Sequence, residues 1–431
     1  MFFTTAVTAL TALLFGLFPA LRSLRSAATQ SLRPASGGGE TRSRRFFGNC
    51  LVAAQVALSV VLLSAAVQFV RHLSNLEHLD LGFQRDQLLL ISLDPQHSGL
   101  QGEQLSQGYR ELLGRLQAIP GVRSVSFCGA TPLSGAGANR GVTVAGHELK
   151  PGEIRNVSEI WIAPKYFETL GTPLLAGRDF AFRDQGRPRV AIINQTMARY
   201  YFADRSPIGT SVSFDGDDQP YEIVGVVADS KLYDIREPTQ RAIYFNIFQQ
   251  PSPRSQFIVR TNISPAALSA QVVPIVHSFL KAVTVTRVTT MVDQIDETIV
   301  PERLIALLSG WFGALGALLA AVGLYGLLSY AVARRINEIG IRVALGATRG
   351  HVTRMVLRDA LGMVCAGLAV GVPIAFWGKR VAASVIARLP AESVTPIVLG
   401  SLGMIALALL ATFVPARRAT RVDPMVALRY E

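Results

Sequence analysis

Five apolar runs mark out the chain, at 2–20, 46–70, 304–332, 359–377 and 395–415. Each is long enough for a helix to cross a hydrocarbon layer roughly 30 Å thick at about 1.5 Å per residue. Between the second and third runs lies a hydrophilic region, 71–302, where the pattern changes. QLLLISL (87–93) and VRSVSF (122–127) read as strands, and Glu103–Leu116 between them has the spacing of an amphipathic helix. A turn at Pro120-Gly121 separates that helix from the second strand. QFIVR (256–260), Pro265–Leu280 and VTVTRVTT (283–290) repeat strand, helix and strand. The stretch between these two units is β-rich, with strands near Val142–Val144, Val190–Ile193 and Tyr221–Val227. The expectation is one α/β subdomain split by an inserted, mainly β subdomain at about 135–240.

The third run holds Gly310, Gly313, Gly316, Gly323 and Gly326, and the fourth holds Gly367 and Gly371 in G-x-x-x-G spacing. Small residues let helices approach closely in lipid, so the third run is expected to pack against other helices and not merely to anchor a domain. Gln55 inside the second run reads as a helix–helix hydrogen bond before it reads as a transport site. Between the third and fourth runs, Ala331–Arg358 is short and basic. Ile336, Ile339, Val343 and Ala347 fall on one helical stripe, and Glu338 precedes Arg342 by four residues, the favourable order for an ion pair. Gly346 is a plausible stop and Thr348 a plausible cap. The pattern fits a short amphipathic helix at a membrane surface; a plain basic loop that fixes topology fits it too.

Half of the residues are hydrophobic and the mean hydropathy is +0.34, too apolar for a typical soluble protein. A formal charge of +12 raises the question of nucleic acid, and its distribution answers it. Residues 71–302 hold 22 Lys and Arg against 24 Asp and Glu, while the rest of the chain holds 20 against 6. The excess sits in short segments beside apolar runs, which is the signature of membrane topology and not of a nucleic-acid-binding face. Segments 21–46, 333–358 and 416–431 carry 16 Arg against Glu40, Glu338, Asp423 and Glu431, which places them in the cytoplasm. The 71–302 region and the 378–394 loop then lie outside, with Lys379, Arg380 and Arg388 as a mild conflict. Five spans with an inside C-terminus put the N-terminus outside. The first run lacks the basic residues that precede a signal peptide's apolar core, and Arg22 and Arg25 follow it. Of three cysteines only Cys128 lies in the hydrophilic region, so no disulfide forms within it.

The end of the first run matches the end of the last. F-P-A-L-R-S-L-R-S-A-A-T-Q-S-L-R (18–33) aligns without gaps on V-P-A-R-R-A-T-R-V-D-P-M-V-A-L-R (414–429). Convergent composition of two basic tails accounts for part of this. The sharper reading makes the first span the last helix of a preceding, similar unit.

Several chemistries find no motif. G-x-x-x-x-G-K-[ST], H-E-x-x-H and G-x-S-x-G are absent, and the six histidines are scattered. No catalytic, cofactor-binding or metal-binding residue is therefore expected. Asp215, Asp217 and Asp218 superficially suggest calcium but lack the full loop spacing, so a solvated turn is the better reading. Tyr200, Tyr201 and Phe202 read as packing and not as a ligand platform.

R-I-N-E-I-G-I-R-V-A-L-G-A-T (335–348) resembles the signature of FtsX-like/MacB-like ABC transporter permeases, where E-I-G-I-R-x-A-L-G-A follows a Gly-rich span. P-A-R-R-A-T-R-V-D-P-M-V-A-L-R-Y-E (415–431) resembles that family's ending. Y-F-E-T-L-G-T-P-L-L-A-G-R-D-F (166–180), V-A-I-I-N (190–194) and I-V-G-V-V-A-D (223–229) are similar to its MacB-type periplasmic core. The resemblance covers about residues 46–431.

Together with the five apolar runs, read as five transmembrane helices, it implies an α+β membrane protein with a large periplasmic MacB-type core, a split α/β subdomain with an inserted mainly β subdomain. The domains would be a first helix at 1–20, a basic cytoplasmic linker at 21–45, a second helix at 46–70, the periplasmic core at 71–302 and an FtsX-like permease domain at 303–431 with three helices. A single family unit has four spans, so the extra span and paired tails are similar to the duplicated permeases of acidobacterial type, of which this would be the second half. The implied location is the bacterial inner membrane. The implied function is a non-enzymatic permease subunit that couples a separate cytoplasmic ABC ATPase to movement of the periplasmic domain, in efflux or extrusion by mechanotransmission. The implied ATPase-coupling segment is Glu338, Ile339, Gly340, Ile341, Arg342, Ala344, Leu345, Gly346 and Ala347. ATP would be hydrolysed by that partner and no cofactor bound here. Further implied partners are membrane lipid, a second permease unit in a dimer or in the same polypeptide, and a periplasmic protein; nucleic acid is not among them. The alternative is an ATPase-independent, membrane-anchored periplasmic binding or assembly module. A membrane-tethered hydrolase is the weakest reading, since no nucleophile and base can be picked out.

Overall fold

The computed structural model describes Thr5 and residues 42–145, 147, 151, 154–186, 188–203, 205–217, 219–249, 255–334, 348–385 and 393–419. Apart from Thr5, the expected first span, the linker to residue 41, the coupling segment 335–347 and the tail from 420 lie outside the described residues, and with them most of the paired-tail match.

In chain order the helices and strands are α1 (Arg42–Glu77), β1 (Leu88–Asp94), α2 (Gly102–Gln117), β2 (Val122–Cys128), β3 (Ala138–Val144), β4 (Asn156–Ile162), α3 (Tyr166–Leu170) and β5 (Leu174–Gly177). Then come β6 (Val190–Asn194), α4 (Gln195–Phe202), β7 (Ser211–Phe214), β8 (Tyr221–Val227), β9 (Ala242–Asn246), β10 (Ser255–Thr261), α5 (Pro265–Phe279) and β11 (Thr284–Thr290). The chain continues through α6 (Met291–Thr298), α7 (Val300–Arg334), α8 (Arg349–Val385) and α9 (Thr395–Ala419).

Four helices are long and apolar enough to cross a membrane: Phe46–Glu77, Val300–Arg334, Gly350–Ser384 and Thr395–Arg417. The expected count of five is therefore four among the described residues, since the 2–20 run falls outside them. The helices also outrun the apolar stretches. At 36 residues α1 is about 54 Å long, so it passes beyond a hydrocarbon layer roughly 30 Å thick.

The strands form one sheet ordered β11-β1-β10-β2-β4-β3-β7-β8-β6-β9, with β5 on β8 and a further β4–β9 pairing. β11, β1, β10 and β2 pair antiparallel, with α2 crossing from β1 to β2 and α5 from β10 to β11. This is the split β-α-β arrangement, interrupted between β2 and β10 by the insert. Because β9 pairs with both β6 and β4, the insert strands β4, β3, β7, β8, β6 and β9 close into a barrel, which leaves no open edge in that ring. Between β2 and β4 the register contains one residue pair, Cys128↔Ile162.

Alternation along β1 sends Leu89, Ile91 and Leu93 to one face and Leu88 and Leu90 to the other. The first face is covered by α2 and α5 through Leu105, Leu112, Leu116, Leu268, Val272 and Val276. There Tyr109, Phe127 and Phe257 meet with ring centroids 4.9–5.4 Å apart. A third core, with Ile193, Met197, Phe214, Tyr221 and Phe245, fills the barrel.

In the membrane α1 packs against α7, α8 and α9. The contacts depend on missing side chains. A Cβ on Gly367 would stand 2.6 Å from Val56 Cβ, and one on Gly371 would stand 2.8 Å from Ala57 O. The G-x-x-x-G pair thus seats the backbone of α1 against α8. On α7, Gly313, Gly316 and Gly323 face α1, whereas Gly310 and Gly326 have open space. Ser59 Oγ donates to Gly316 O at 2.7 Å across the same contact. Gln55 Oε1 lies where a Cβ on Gly323 would be and has no hydrogen-bond partner, so the oxygen is not the interhelical acceptor that the sequence suggests.

Candidate coupling junction at the head of the membrane helices

The two longest links between membrane and outer domain are α1 and α7, and both end in the same core. β11 gives way to α6 at Thr290, whose Oγ1 accepts from Asp293 N at 3.0 Å, a helix cap with an acidic residue in the first turn. The buried side of α6, Met291 and Ile295, joins Ile299 in the core on the second face of the sheet. Leu76, from the last turn of α1, lies in that core, and Leu73 packs against it. One residue, Ile299, separates α6 from α7. Pro301 in the first turn of α7 costs no hydrogen bond there.

Charged groups lock this apolar contact. Arg303 at the head of α7 lies 3.6 Å from Glu77 on α1 and 3.4 Å from Asp296 on α6. Arg236 comes from the β8–β9 connection of the insert. Its Nε donates to Glu302 Oε1 at 2.7 Å, and a second guanidinium nitrogen donates to Thr298 O at 2.7 Å. Arg236 also meets Asp234 at 3.0 Å. The hydrogen bond it donates to Glu302 is the largest cause of a guanidinium pKa raised above its ordinary value, opposed by burial. His72 on α1 is buried, and its Nε2 has no hydrogen-bond partner.

The β8–β9 connection is itself held at both ends. Asp229 accepts from Asn194 Nδ2 at 2.8 Å, Thr196 N at 2.9 Å and Thr196 Oγ1 at 2.7 Å, which ties it to α4 and the barrel. Lys231 N donates to Leu81 O at 2.9 Å, next to the end of α1. Gly82, at φ +75°, lets the chain after α1 approach Asp229 where a side chain would collide with its carbonyl. Tyr233 OH donates to Ala138 O at 2.9 Å. One loop therefore fastens the barrel to the roots of both membrane helices.

The expected coupling residues Glu338, Ile339, Gly340, Ile341, Arg342, Ala344, Leu345, Gly346 and Ala347 lie outside the described residues; α7 ends at Arg334 and α8 begins at Arg349 on either side of them. Other singled-out groups have structural work. Asp217 meets Arg140 at 2.8 Å and Arg189 at 3.9 Å, and Asp215 meets Arg155 at 3.0 Å, so the acidic turn is tied by arginines; Asp218 is outside the described residues. Tyr201 and Phe202 are buried in the barrel core, while Tyr200 is exposed beneath the Arg241 guanidinium at 4.3 Å. Sequence reasoning missed Arg236, Glu302, Arg303 and Glu77. The signal available was P-E-R (301–303) at the mouth of the third apolar run, charges placed where a span leaves the membrane.

A family model described as the MacB-like periplasmic core domain matches residues 51–277, and one described as the FtsX-like permease C-terminal matches 310–424. The chain is 28% identical over 282 residues to an uncharacterized ABC transporter permease, YknZ, of Bacillus subtilis (strain 168), covering 62% of this chain and 68% of that protein. It is 27% identical over 270 residues to the macrolide export ATP-binding/permease protein MacB of Azoarcus sp. (strain BH72), covering 60% and 40%. It is 26% identical over 285 residues to the pyoverdine export ATP-binding/permease protein PvdT of Pseudomonas aeruginosa, covering 61% and 40%. The chain thus spans about 40% of the length of these two exporters. Among solved structures it is similar to the periplasmic region of MacB from Actinobacillus actinomycetemcomitans, at 16% identity and a TM-score of 0.34, covering 51% of this chain and 94% of that one.

Proposed function

The chain belongs to the family of ABC transporter permeases that join a MacB-like periplasmic core domain to an FtsX-like permease domain, and from that premise we propose that it transmits the work of a separate cytoplasmic ATPase to its periplasmic domain. It is a multi-pass inner-membrane protein with a large periplasmic domain. The observation that carries the proposal is the junction. Leu76 of α1 and Ile295 and Ile299 beside α7 share one core with the sheet, and Arg236 of the insert is clasped to Glu302. A tilt of either helix therefore displaces the domain and does not merely slide beneath it.

The MacB and PvdT relatives are named as ATP-binding/permease proteins, and the match covers the permease share of them. The sequence given holds no G-x-x-x-x-G-K-[ST], and on this proposal ATP is bound and hydrolysed by an ATPase met at Glu338–Ala347. The export named for these relatives supports reading that work as export of a substrate. The exposed stripe of α7, with Leu308, Trp311, Leu315, Leu319 and Val322, is the surface we assign to pairing with a second permease unit.

The test is ATPase stimulation in proteoliposomes holding the full chain and its co-purifying ATPase. Glu338→Lys and Arg342→Glu are expected to abolish stimulation while the protein still inserts and folds. Stimulation unchanged in both variants overturns the proposal.

A further inference from the structure

Lys379 and Arg380 stand near the outer end of α8 and are cations that the positive-inside pattern does not explain. Beside them a part-open cavity of about 210 Å³ lies between α1, α8 and α9. Val61, Ala65, Phe69, Ala375 and Ile397 give it apolar walls. Since α1 and α8 both run outward, Phe69 and Lys379 place this cavity in the periplasmic half of the bundle. Trp377 is 69% exposed two residues before Lys379, the position of an aromatic anchor at headgroup depth.

Ser64, Gln68 and Lys379 are the residues with polar side chains along the cavity, and the charged one distinguishes it from a packing gap. Ser64 Oγ is turned against α9, where a Cβ on Gly400 would stand 2.6 Å from it, so it is packed between helices and does not face the cavity. Lys379 lines the same cavity; its Nζ donates to Ser393 O at 2.5 Å, and an ammonium carries three protons, so two remain for another acceptor. Most of the wall is apolar, which suits hydrocarbon better than water. Hydrocarbon ending in an anion satisfies every part of this site.

We propose that the cavity holds one acyl chain of an anionic glycerophospholipid from the outer leaflet. The phosphate lies against Lys379 with Arg380 nearby, and the acyl chain runs along Val61, Ala65 and Phe69. The two outward cations are then ligands of a lipid and not errors of topology. The proposal rests on the membrane placement of α8 and is independent of ATPase coupling, so either can fail without the other.

Native mass spectrometry of the full chain in detergent tests it, with phosphatidylglycerol and phosphatidylcholine of the same chain composition as probes. The expected result is one retained phosphatidylglycerol per chain, at a concentration about tenfold below that needed for phosphatidylcholine. Lys379→Gln should bring phosphatidylglycerol retention to the phosphatidylcholine level. Ala65→Leu, which fills the cavity, should remove the retained lipid of both kinds; Ala382→Leu, on the same wall, replaces it if the first variant does not fold. Equal retention of the two lipids by the unaltered chain, or lipid retained undiminished when the cavity is filled, would mean annular lipid only and overturns the proposal.

Discussion

Arg236 and Glu302 are 66 residues apart in sequence, and their side chains meet through a 2.7 Å hydrogen bond at the point where the outer domain rests on α7. Both are largely screened from solvent, with side-chain exposures of 20% and 13%. Arg236→Met or Glu302→Gln should each cost about 2 kcal/mol, because each strands a partly buried partner. The double variant should cost at least about 1 kcal/mol less than the sum of the two. Thermal unfolding of the full chain in detergent measures this. Strict additivity would show that the contact carries no coupling.

The glycines of the bundle divide into two sets. Gly371→Val puts atoms into the backbone of α1 at Ala57, so it should greatly reduce the yield of monodisperse protein. Gly326→Ala meets open space and should leave the yield unchanged. Size-exclusion profiles of the two variants decide it, and equal profiles would remove α1–α8 contact as the basis of the bundle.

Asp179 supplies a pH dependence. Burial is the largest cause of a carboxyl pKa pushed up to about 6 from 3.8, and backbone donors at Phe180 and Lys165 offset it only in part. Between those values the folded state binds more protons than the unfolded state. Stability therefore falls as pH rises from about 4 to about 6 and is level above that. Asp179→Asn should remove this fall, gaining about 2 kcal/mol relative to the unaltered chain between pH 4 and pH 7. Parallel melting profiles across that range would contradict the assignment.

Gln55 offers a test of a polar group inside a span. Its Oε1 is buried without a donor, so Gln55→Met, similar in shape, should cost less than about 1 kcal/mol and leave the bundle intact. A large loss of folded protein would show that the amide is a structural bond.

The outer ends of the fold were legible because their patterns are local. β1 and β2 begin and end within a residue of QLLLISL and VRSVSF, and α5 within one of Pro265–Leu280. The barrel was only half legible. β9, A-I-Y-F-N, is buried at all five positions, and a short run with no exposed face shows no alternation. β5, L-L-A-G, is four residues held by pairing with β8 alone. Barrel closure depends on β9 meeting β4 and β6, which no local pattern encodes. The membrane helices were legible from hydropathy, but their ends were not. Leu73 and Leu76 look like more of the same helix until the core they enter is seen. The junction stayed hidden for a similar reason: D-I-R-E (234–237) is an ordinary loop sequence, and only tertiary structure brings it to P-E-R.

The sheet narrows to one residue pair between β2 and β4, flanked by hydrogen bonds from Gly129 N to Trp161 O and Ala163 N to Phe127 O. Six register pairs join β1 to β10 and β10 to β2. Ladder pairing alone therefore makes only a thin bridge between the two halves of the sheet. What the backbone leaves thin, side chains thicken: Leu88, Leu90 and Ile258 of the sheet share one core with Ile160, Ile192 and Tyr244 of the barrel, and Arg236 ties the barrel to the root of α7. Barrel and sheet are thus welded by their interior more than by their ladder.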